Sequence, residues 1–388
     1  MISAKQNLSE TFDKFFDSEK SSGILLIACT VISLVIANSP FGEAYLGFWQ
    51  TKVGGLTIEY WINDALMAIF FLLIGLELER ELYIGELSDF KNALLPIFAA
   101  VGGMAAPALI HFAFNAGTPT QDGIGIPMAT DIAFALGVLA ILGNRIPASL
   151  KVFVVAFAVI DDLGAIIVIA LFYTAKLSVW YFAGAMAVLA LLVVLNRAFR
   201  VMTLMPYLLG GALMWFLMLK SGIHATIAGV MLAFAIPFSA KDDDTASPSH
   251  RLEHFLHKPV AFVILPIFAL ANTGIPIGAD WFQSLASTNS AGIMAGLLIG
   301  KPLGVTLLCL IAVASGICHL PPDLKWGHVI GAGIIGGIGF TMSIFITNLA
   351  FAGNAETINA SKMAILLASL VAGTVGFLWP RFTGKPAA

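Results

Sequence analysis

The sequence predicts an all-α protein that crosses a membrane many times. Mean hydropathy is +0.93, 59% of the residues are hydrophobic and only 11% are charged, against about 25% charged residues in a soluble domain. Apolar stretches of about 20 residues, enough to cross a bilayer, recur along the chain between short loops. We therefore predict a single membrane domain over residues 1–388 with twelve transmembrane helices, at 22–39, 58–78, 92–115, 122–143, 150–174, 178–196, 203–219, 222–238, 256–275, 291–315, 327–350 and 357–380.

The distribution of Lys and Arg predicts how these spans are oriented. If the polar segment 1–21 is cytoplasmic, fifteen Lys and Arg residues lie on the cytoplasmic side and three on the outer side, while Lys301 and Lys362 lie within spans. Positive loops stay inside, so we expect both termini, including the tail 381–388, in the cytoplasm beneath a bacterial inner membrane. The polar start also lacks the pattern of a cleaved signal peptide. The net charge of −3 does not suggest nucleic-acid binding.

The first outer loop, 46–60, predicts a small periplasmic β-hairpin. Two β-rich runs flank Gly54 and Gly55, a pair typical of a tight hairpin turn. A lone hairpin is marginally stable in water, and its free edge is suited to pairing with a second copy. We therefore predict a homodimer contact at this loop; the alternative is a loop that folds over its own protein.

Asp161 and Asp162 lie near the middle of the apolar stretch 152–172. An ionisable group at the centre of a membrane helix costs roughly 2.5–3.5 kcal/mol on insertion scales, and adjacent carboxylates resist joint ionisation. Such a pair requires a positive partner, namely a proton, a cation or a basic side chain. We therefore expect a polar cavity around this point.

The fourth and eleventh spans are interrupted in their middles. The fourth contains Pro127 after Gly123 and Gly125, and the eleventh has five glycines within 331–343. Each is the middle member of a three-span set, spans 3–5 and 10–12, and the two sets enter the membrane from opposite sides. Interrupted spans at matching positions of inverted repeats predict a transporter binding site. Close helix packing is the other explanation for the glycines.

Charged residues at the same depth favour the binding site over simple packing. Unwound backbone in a membrane requires a polar cavity, and the ends of half-helices carry partial charges. Asp131 is suited to balance the positive N-terminal ends, and Lys301 the negative C-terminal ends. Lys301 is equally able to pair with Asp161 or with Asp162.

These groups suit the exchange of protons for a cation. Small hard cations prefer oxygen ligands, which Thr130, freed carbonyls and the two carboxylates supply. A bound cation expels protons and bound protons expel the cation, so a site that faces one side at a time exchanges them. No nucleotide motif or resident cofactor is indicated; the expected ligands are a transported small cation and H⁺.

Other functions fit the residues less well. Intramembrane aspartyl proteases take their carboxylates from different helices and use a Gly-x-Gly-Asp motif, and metal-dependent prenyl transferases carry a third acid after the aspartate pair. Neither pattern is present, so we do not predict an enzyme. A channel is one alternative function, and a sodium-coupled solute symporter of related fold is the strongest alternative.

Titratable residues also gather where the second span ends and the ninth begins. Histidine titrates near neutral pH, so this cluster predicts a pH-responsive rim; a solvated charged face is the alternative. His224, at the outer start of the eighth span, suits either a pH response or a structural role. The candidate pH-response residues are Glu77, Arg80, Glu81, Glu253, His254, His257 and His224.

Several long motifs resemble the NhaA-type sodium/proton antiporters, a family that is itself an example of inverted repeats. The resemblance covers nearly the whole chain. It is carried by WINDALM at 61–67, ATDIAFALG at 129–137, IDDLG at 160–164, KSGIHAT at 220–226, RLEH at 251–254, LLIGKPLG at 297–304 and GIGFTMS at 337–343.

The resemblance implies twelve spans in one transporter domain, with the fourth and eleventh crossing as unwound chains. It implies Asp162 as the main Na⁺ or Li⁺ ligand with Asp161 and Thr130 beside it, and Asp161 as the partner of Lys301. It also implies electrogenic exchange of two protons per sodium ion and pH regulation by the rim. Glu79 departs from the family pattern, which has a basic residue there.

Overall fold

The computed structural model describes residues 21–173, 177–239, 247–279 and 281–383. These residues are mostly helical. The helices, in chain order, are α1 Ser21–Ala37, α2 Gly42–Trp49, α3 Ile58–Tyr83, α4 Phe90–Asn115, α5 Ile132–Leu142, α6 Ala148–Phe172, α7 Val179–Arg197, α8 Met205–Ser221, α9 Ile227–Ala233, α10 Pro248–Asn272, α11 Trp281–Leu285, α12 Thr288–Ala314, α13 Trp326–Gly336, α14 Phe340–Ala350 and α15 Ala355–Thr383, with 3₁₀ helices at Glu86–Ser88, Gln121–Met128 and Gly143–Arg145.

The prediction of a helical protein with many membrane spans is confirmed. Within the described residues, eight helical segments are long and apolar enough to cross a membrane, or ten if each of two bent helix pairs is one span. The pairs are α1 with α2, bent by 118°, and α13 with α14, bent by 46°. The predicted spans 203–219 and 222–238 correspond to α8, with 17 residues, and α9, with 7. The count of twelve therefore stays a prediction.

The predicted hairpin is present but shorter than 46–60. Strand β1, Lys52–Val53, pairs antiparallel with β2, Leu56–Thr57. Gly54 and Gly55 between them have φ of +63° and +89°, a left-handed backbone that favours glycine. The start of the predicted run, 46–49, belongs to α2, and its end, 58–60, to α3. Apolar and aromatic runs this short do not distinguish strand from helix.

Contacts between residues divide the chain into two compact units. The described part of unit 1 comprises residues 21–39, 94–161, 273–279 and 281–383. That of unit 2 comprises residues 40–93, 162–173, 177–239 and 247–272. The division falls within α6, between Asp161 and Asp162. Each unit has its own buried apolar core.

Glycines allow very close helix packing in both units. In unit 1, a Cβ on Gly102 of α4 would lie 2.1 Å from the carbonyl oxygen of Gly304 in α12. In unit 2, a Cβ on Gly229 of α9 would lie 2.1 Å from the carbonyl oxygen of Ala68 in α3. Real Cβ atoms do not approach a carbonyl oxygen so closely. The backbones therefore come into contact only where Gly102 and Gly229 lack a side chain. The short α9 is thereby packed directly against α3.

Candidate ion-binding site

Both predicted helix interruptions lie in unit 1. The 3₁₀ helix Gln121–Met128 contains Pro127 and is followed by Ala129 in an extended conformation, before Asp131 caps α5. The second interruption separates α13 from α14 at residues 337–339. Proline and glycine therefore break the helices where the sequence predicts. The glycines also pack closely: a Cβ on Gly337 would lie 2.4 Å from the carbonyl oxygen of Leu297.

The two interrupted segments are hydrogen-bonded to each other. From the first segment, the Thr130 hydroxyl donates to the carbonyl oxygen of Gly336 at 2.9 Å. The backbone amide of Asp131 donates to the carbonyl oxygen of Ile338 at 2.7 Å. From the second, the Ser343 hydroxyl donates to the carbonyl oxygen of Ile126 at 2.7 Å. Carbonyls without an intrahelical partner thus find one across the break, as backbone at membrane depth requires.

Asp131 joins the starts of two helices through one buried carboxylate. Its Oδ1 accepts the amide of Phe134 in α5 at 3.0 Å, and its Oδ2 accepts the amide of Thr341 in α14 at 3.0 Å. The Thr341 hydroxyl donates to the same Oδ2 at 2.5 Å. The side chain of Asp131 is 2% exposed. A negative group at two helix N-termini is electrostatically favourable, which fits the predicted charge compensation.

Lys301 forms a buried ion pair with Asp161. Its Nζ lies 2.6 Å from Asp161 Oδ2, and both side chains are fully buried. The same Nζ donates to the carbonyl oxygen of Met128, at the end of the 3₁₀ helix, and lies 5.8 Å from the centre of the Phe157 ring. Lys301 therefore contacts both a carboxylate and the carbonyl at the end of the 3₁₀ helix.

All three predicted cation ligands are buried; Asp162 is next to Asp161 in the sequence, and Thr130 is next to Asp131. Asp161 and Asp162 are consecutive in α6, with 0% and 1% exposure, and Thr130 is also fully buried. The Thr130 hydroxyl donates its hydrogen bond to the carbonyl oxygen of Gly336, so the lone pairs of the hydroxyl oxygen are directed away from Gly336. This is the donor chemistry that a small hard cation prefers.

Several of the predicted pH-response residues lie together in unit 2. Arg80 in α3 reaches Glu253 in α10, with Nη1 2.9 Å from Oε1, and its Nη2 lies 3.8 Å from Glu81 Oε1. The Arg80 side chain is 43% exposed and that of Glu253 is 9% exposed. Glu77 and His257 are partly exposed and His254 is exposed. The structure therefore joins Arg80, Glu81 and Glu253 in direct ion pairs.

Glu79, the departure from the family pattern, faces the interior. It is 5% exposed, and Ser249 in α10 donates its hydroxyl to Glu79 Oε2 at 3.4 Å. Glu79, which lies beside Arg80 in the chain, is therefore a buried acid that is hydrogen-bonded to the start of α10.

Two other residues have structural partners in unit 2. His224, in the turn before α9, lies with Nε2 2.8 Å from the carbonyl oxygen of Tyr173, which fits the structural alternative. In the sequence, Asp64 of the WINDALM motif is also suited to cap the second helix, but this interpretation is wrong. Asp64 lies inside α3, in a π-helical turn at Ile62–Leu66, and accepts a hydrogen bond from Trp215 Nε1 at 2.8 Å; Thr57 is the cap.

Sequence reasoning identified the acids and Lys301 but missed the part played by Thr341. A hydroxyl directly after a glycine-rich break is a signal for it, because Thr130 occupies the same kind of position in the other interrupted segment.

Comparisons with known proteins show which proteins this chain is similar to. A family model described as Na⁺/H⁺ antiporter 1 matches residues 13–379. The chain is 71% identical over 382 residues to the Na⁺/H⁺ antiporter NhaA of Dechloromonas aromatica, covering 98% of each chain. It is 60% identical to the NhaA of Cytophaga hutchinsonii, covering 97% of each chain. It is 48% identical to that of Mesorhizobium japonicum, covering 97% of this chain and 96% of the relative.

Proposed function

Because the chain belongs to the Na⁺/H⁺ antiporter 1 family, we propose that it exchanges sodium or lithium ions for protons across a bacterial inner membrane. It is a secondary transporter with both termini in the cytoplasm. The observation that carries the proposal is the fully buried Lys301–Asp161 pair beside two interrupted helices. A charge pair at such depth is costly, and ion coupling gives it a function.

Asp162 is the main ligand of the transported cation in this proposal, with Asp161 and Thr130 beside it. Support comes from the burial of all three side chains and from the hydroxyl of Thr130, which donates a hydrogen bond to the carbonyl oxygen of Gly336. Its oxygen is then able to face a cation, and carboxylate and hydroxyl oxygens suit Na⁺ and Li⁺.

Coupling follows from competition for the two carboxylates. When Asp161 and Asp162 both release a proton and one Na⁺ binds, two charges leave and one enters. Exchange of two protons per sodium ion therefore moves one net charge, so a membrane potential drives sodium export. Asp161 changes partner during this cycle: Lys301 holds its carboxylate until a proton neutralises it.

Asp131 and Lys301 balance the ends of the interrupted helices. Each helix end carries roughly half an elementary charge. The two N-terminal ends that Asp131 contacts, those of α5 and α14, therefore sum to about +1, which one carboxylate neutralises. Lys301 serves the negative end at Met128 in the same way.

The finer architecture follows the same family pattern. We propose twelve spans in one transporter domain, with α8 and α9 as the seventh and eighth, and inverted repeats formed by spans 3–5 and 10–12. The fourth and eleventh spans cross as unwound chains. Support comes from the hydrogen bonds between the two interrupted segments.

Regulation and assembly complete the proposal. The rim residues Glu77, Arg80, Glu81, Glu253, His254 and His257, together with His224, set the pH response. Support for the rim comes from the ion pairs of Arg80 with Glu81 and Glu253; His224, whose ring contacts the carbonyl oxygen of Tyr173, lies outside these ion pairs. The strands Lys52–Val53 and Leu56–Thr57 form a homodimer contact, supported by the exposure of both residues of β1. Replacing residues 52–57 by a short glycine linker should turn a dimer in detergent into a monomer; an unchanged mass would exclude this contact.

Exchange is tested in everted membrane vesicles that carry a respiration-driven pH gradient, followed with a pH-sensitive dye. Sodium and lithium should collapse the gradient, and potassium should not. Asp162→Asn should abolish the response while the protein stays folded. Asp323→Asn, an exposed carboxylate that accepts a hydrogen bond from Ser149, is the matched control and should keep it.

The outcomes separate two claims. A wild-type protein that leaves the gradient intact from mildly acidic to alkaline pH contradicts antiport, and labelled organic solutes would then test the symporter. Sodium-dependent proton movement in Asp162→Asn contradicts only the site assignment.

A further inference from the structure

Thr341 contributes two donors to one buried carboxylate oxygen. It lies in the first turn of α14 and is 2% exposed. Its amide and its hydroxyl both donate to Asp131 Oδ2, at 3.0 and 2.5 Å. Any residue at this position except proline is able to donate the hydrogen bond from its backbone amide, but the shorter hydrogen bond requires the hydroxyl. The side chain therefore does something that the helix end does not do by itself.

The hydroxyl connects the two interrupted segments at a sensitive point. Asp131 is followed directly by α5, whose Phe134 amide binds the other carboxylate oxygen. It is preceded directly by Thr130, whose hydroxyl is bonded to Gly336 at the end of α13. Thr341 thus fixes a carboxylate whose backbone neighbour carries a proposed cation ligand. A shift of Asp131 would displace Thr130.

We propose that Thr341 is a positioning residue for cation binding: its hydroxyl holds Asp131, and through the backbone Thr130, in the geometry that binds the transported ion. The inference rests on the proposed function and adds a residue to it. A hydrogen bond from a neutral hydroxyl to an ionised carboxylate is stronger than one between neutral groups. Losing it leaves the hydrogen bonds from the backbone amides of Phe134 and Thr341 but removes the shortest of the three that hold the carboxylate.

The chain offers a matched control on the same helix. Thr347 is also fully buried in α14, and its hydroxyl donates to the carbonyl oxygen of Ser343, one helical turn earlier, at 2.8 Å. Replacing it by valine removes a hydroxyl from the same helix without touching Asp131. A general effect of lost hydroxyls on α14 would appear in both positions.

The test measures sodium-driven collapse of the pH gradient at a series of sodium concentrations. Thr341→Val, which keeps the shape, should raise the sodium concentration for half-maximal response about tenfold, with the maximal rate within about twofold of wild type. Thr341→Ser, which restores the hydroxyl, should return both values close to wild type. Thr347→Val should leave the half-maximal concentration unchanged.

Thr341→Ala removes the hydroxyl without placing a second methyl group against the carboxylate, so it decides the matter if the valine variant accumulates poorly. An unchanged half-maximal concentration in a folded valine or alanine variant overturns the proposal. So does a serine variant as impaired as the valine variant, or an equal effect at Thr347. Wild-type protein without sodium-driven exchange would instead contradict the proposed function itself.

Discussion

Two ion pairs with similar chemistry lie in very different surroundings. In unit 1, Lys301 and Asp161 are 2.6 Å apart and both side chains are fully buried. In unit 2, Arg80 and Glu253 are 2.9 Å apart, but the arginine side chain is 43% exposed. Distance alone would rank them together. Burial separates them, because it determines what the loss of one partner leaves behind.

The buried pair is costly to form and costly to break. Removing two charges from water costs several kcal/mol per ion, and their mutual attraction does little more than offset this. Removing one partner leaves the other charge buried. At an exposed pair, water replaces the lost partner, and measured contributions are typically below about 1 kcal/mol. The comparison therefore predicts a large difference between two similar substitutions.

The largest effect is expected from Lys301→Met, which replaces the lysine by an unbranched, apolar side chain of similar length. It leaves Asp161 without its partner and removes the donor to the Met128 carbonyl. Stability should fall by about 3–5 kcal/mol, seen as a lower thermal unfolding midpoint in detergent. Sodium-driven exchange in vesicles should be lost.

A double variant tests whether the uncompensated charge causes that instability. Asp161→Asn added to Lys301→Met removes both charges and should recover most of the lost stability, since neutral replacement of a buried pair is often tolerated. Exchange should remain absent. A double variant as unstable as the single one would show that the loss came from packing, and the contrast between the two pairs would no longer rest on charge.

The smallest effect is expected from Arg80→Gln. It breaks the contacts with Glu253 and Glu81, but its site is accessible to water and ions. The unfolding midpoint should change by the equivalent of less than about 1 kcal/mol, and less still at high salt. A loss as large as that of Lys301→Met would mean that this rim is far drier in the membrane than its exposure indicates.

The sequence predicts the ingredients of the site better than their connections. Asp161 and Asp162 are conspicuous because charge is rare in apolar spans, and Pro127 and the glycines of 331–343 indicate the breaks because they disrupt helices. From the residues alone, the partner of Lys301 stayed open between two aspartates, because neighbouring residues on a helix point about 100° apart and no sequence rule says which one faces a distant lysine. Only the family resemblance pointed to Asp161.

Other features depend on contacts that leave no local pattern. Thr341 and Asp131 are 210 positions apart, and only the folded chain brings them together. Asp64 looks like a cap because it follows a loop, but the helix begins earlier, at Ile58. The short α9 looks like a full span by hydropathy. Its helical part is brief because a turn precedes it, and close packing of Gly229 against α3 holds it.

A π-helical turn at Gly296–Gly300 immediately precedes Lys301. Such a turn accommodates one residue more than the regular helix, and each residue of a helix advances the side-chain direction by about 100°. The aim of Lys301 toward Asp161 is therefore set by the phase of the backbone upstream, not by the lysine alone. If the extra residue were lost, every later side chain of α12 would rotate by about a quarter of a turn, and an unchanged lysine would no longer face its partner.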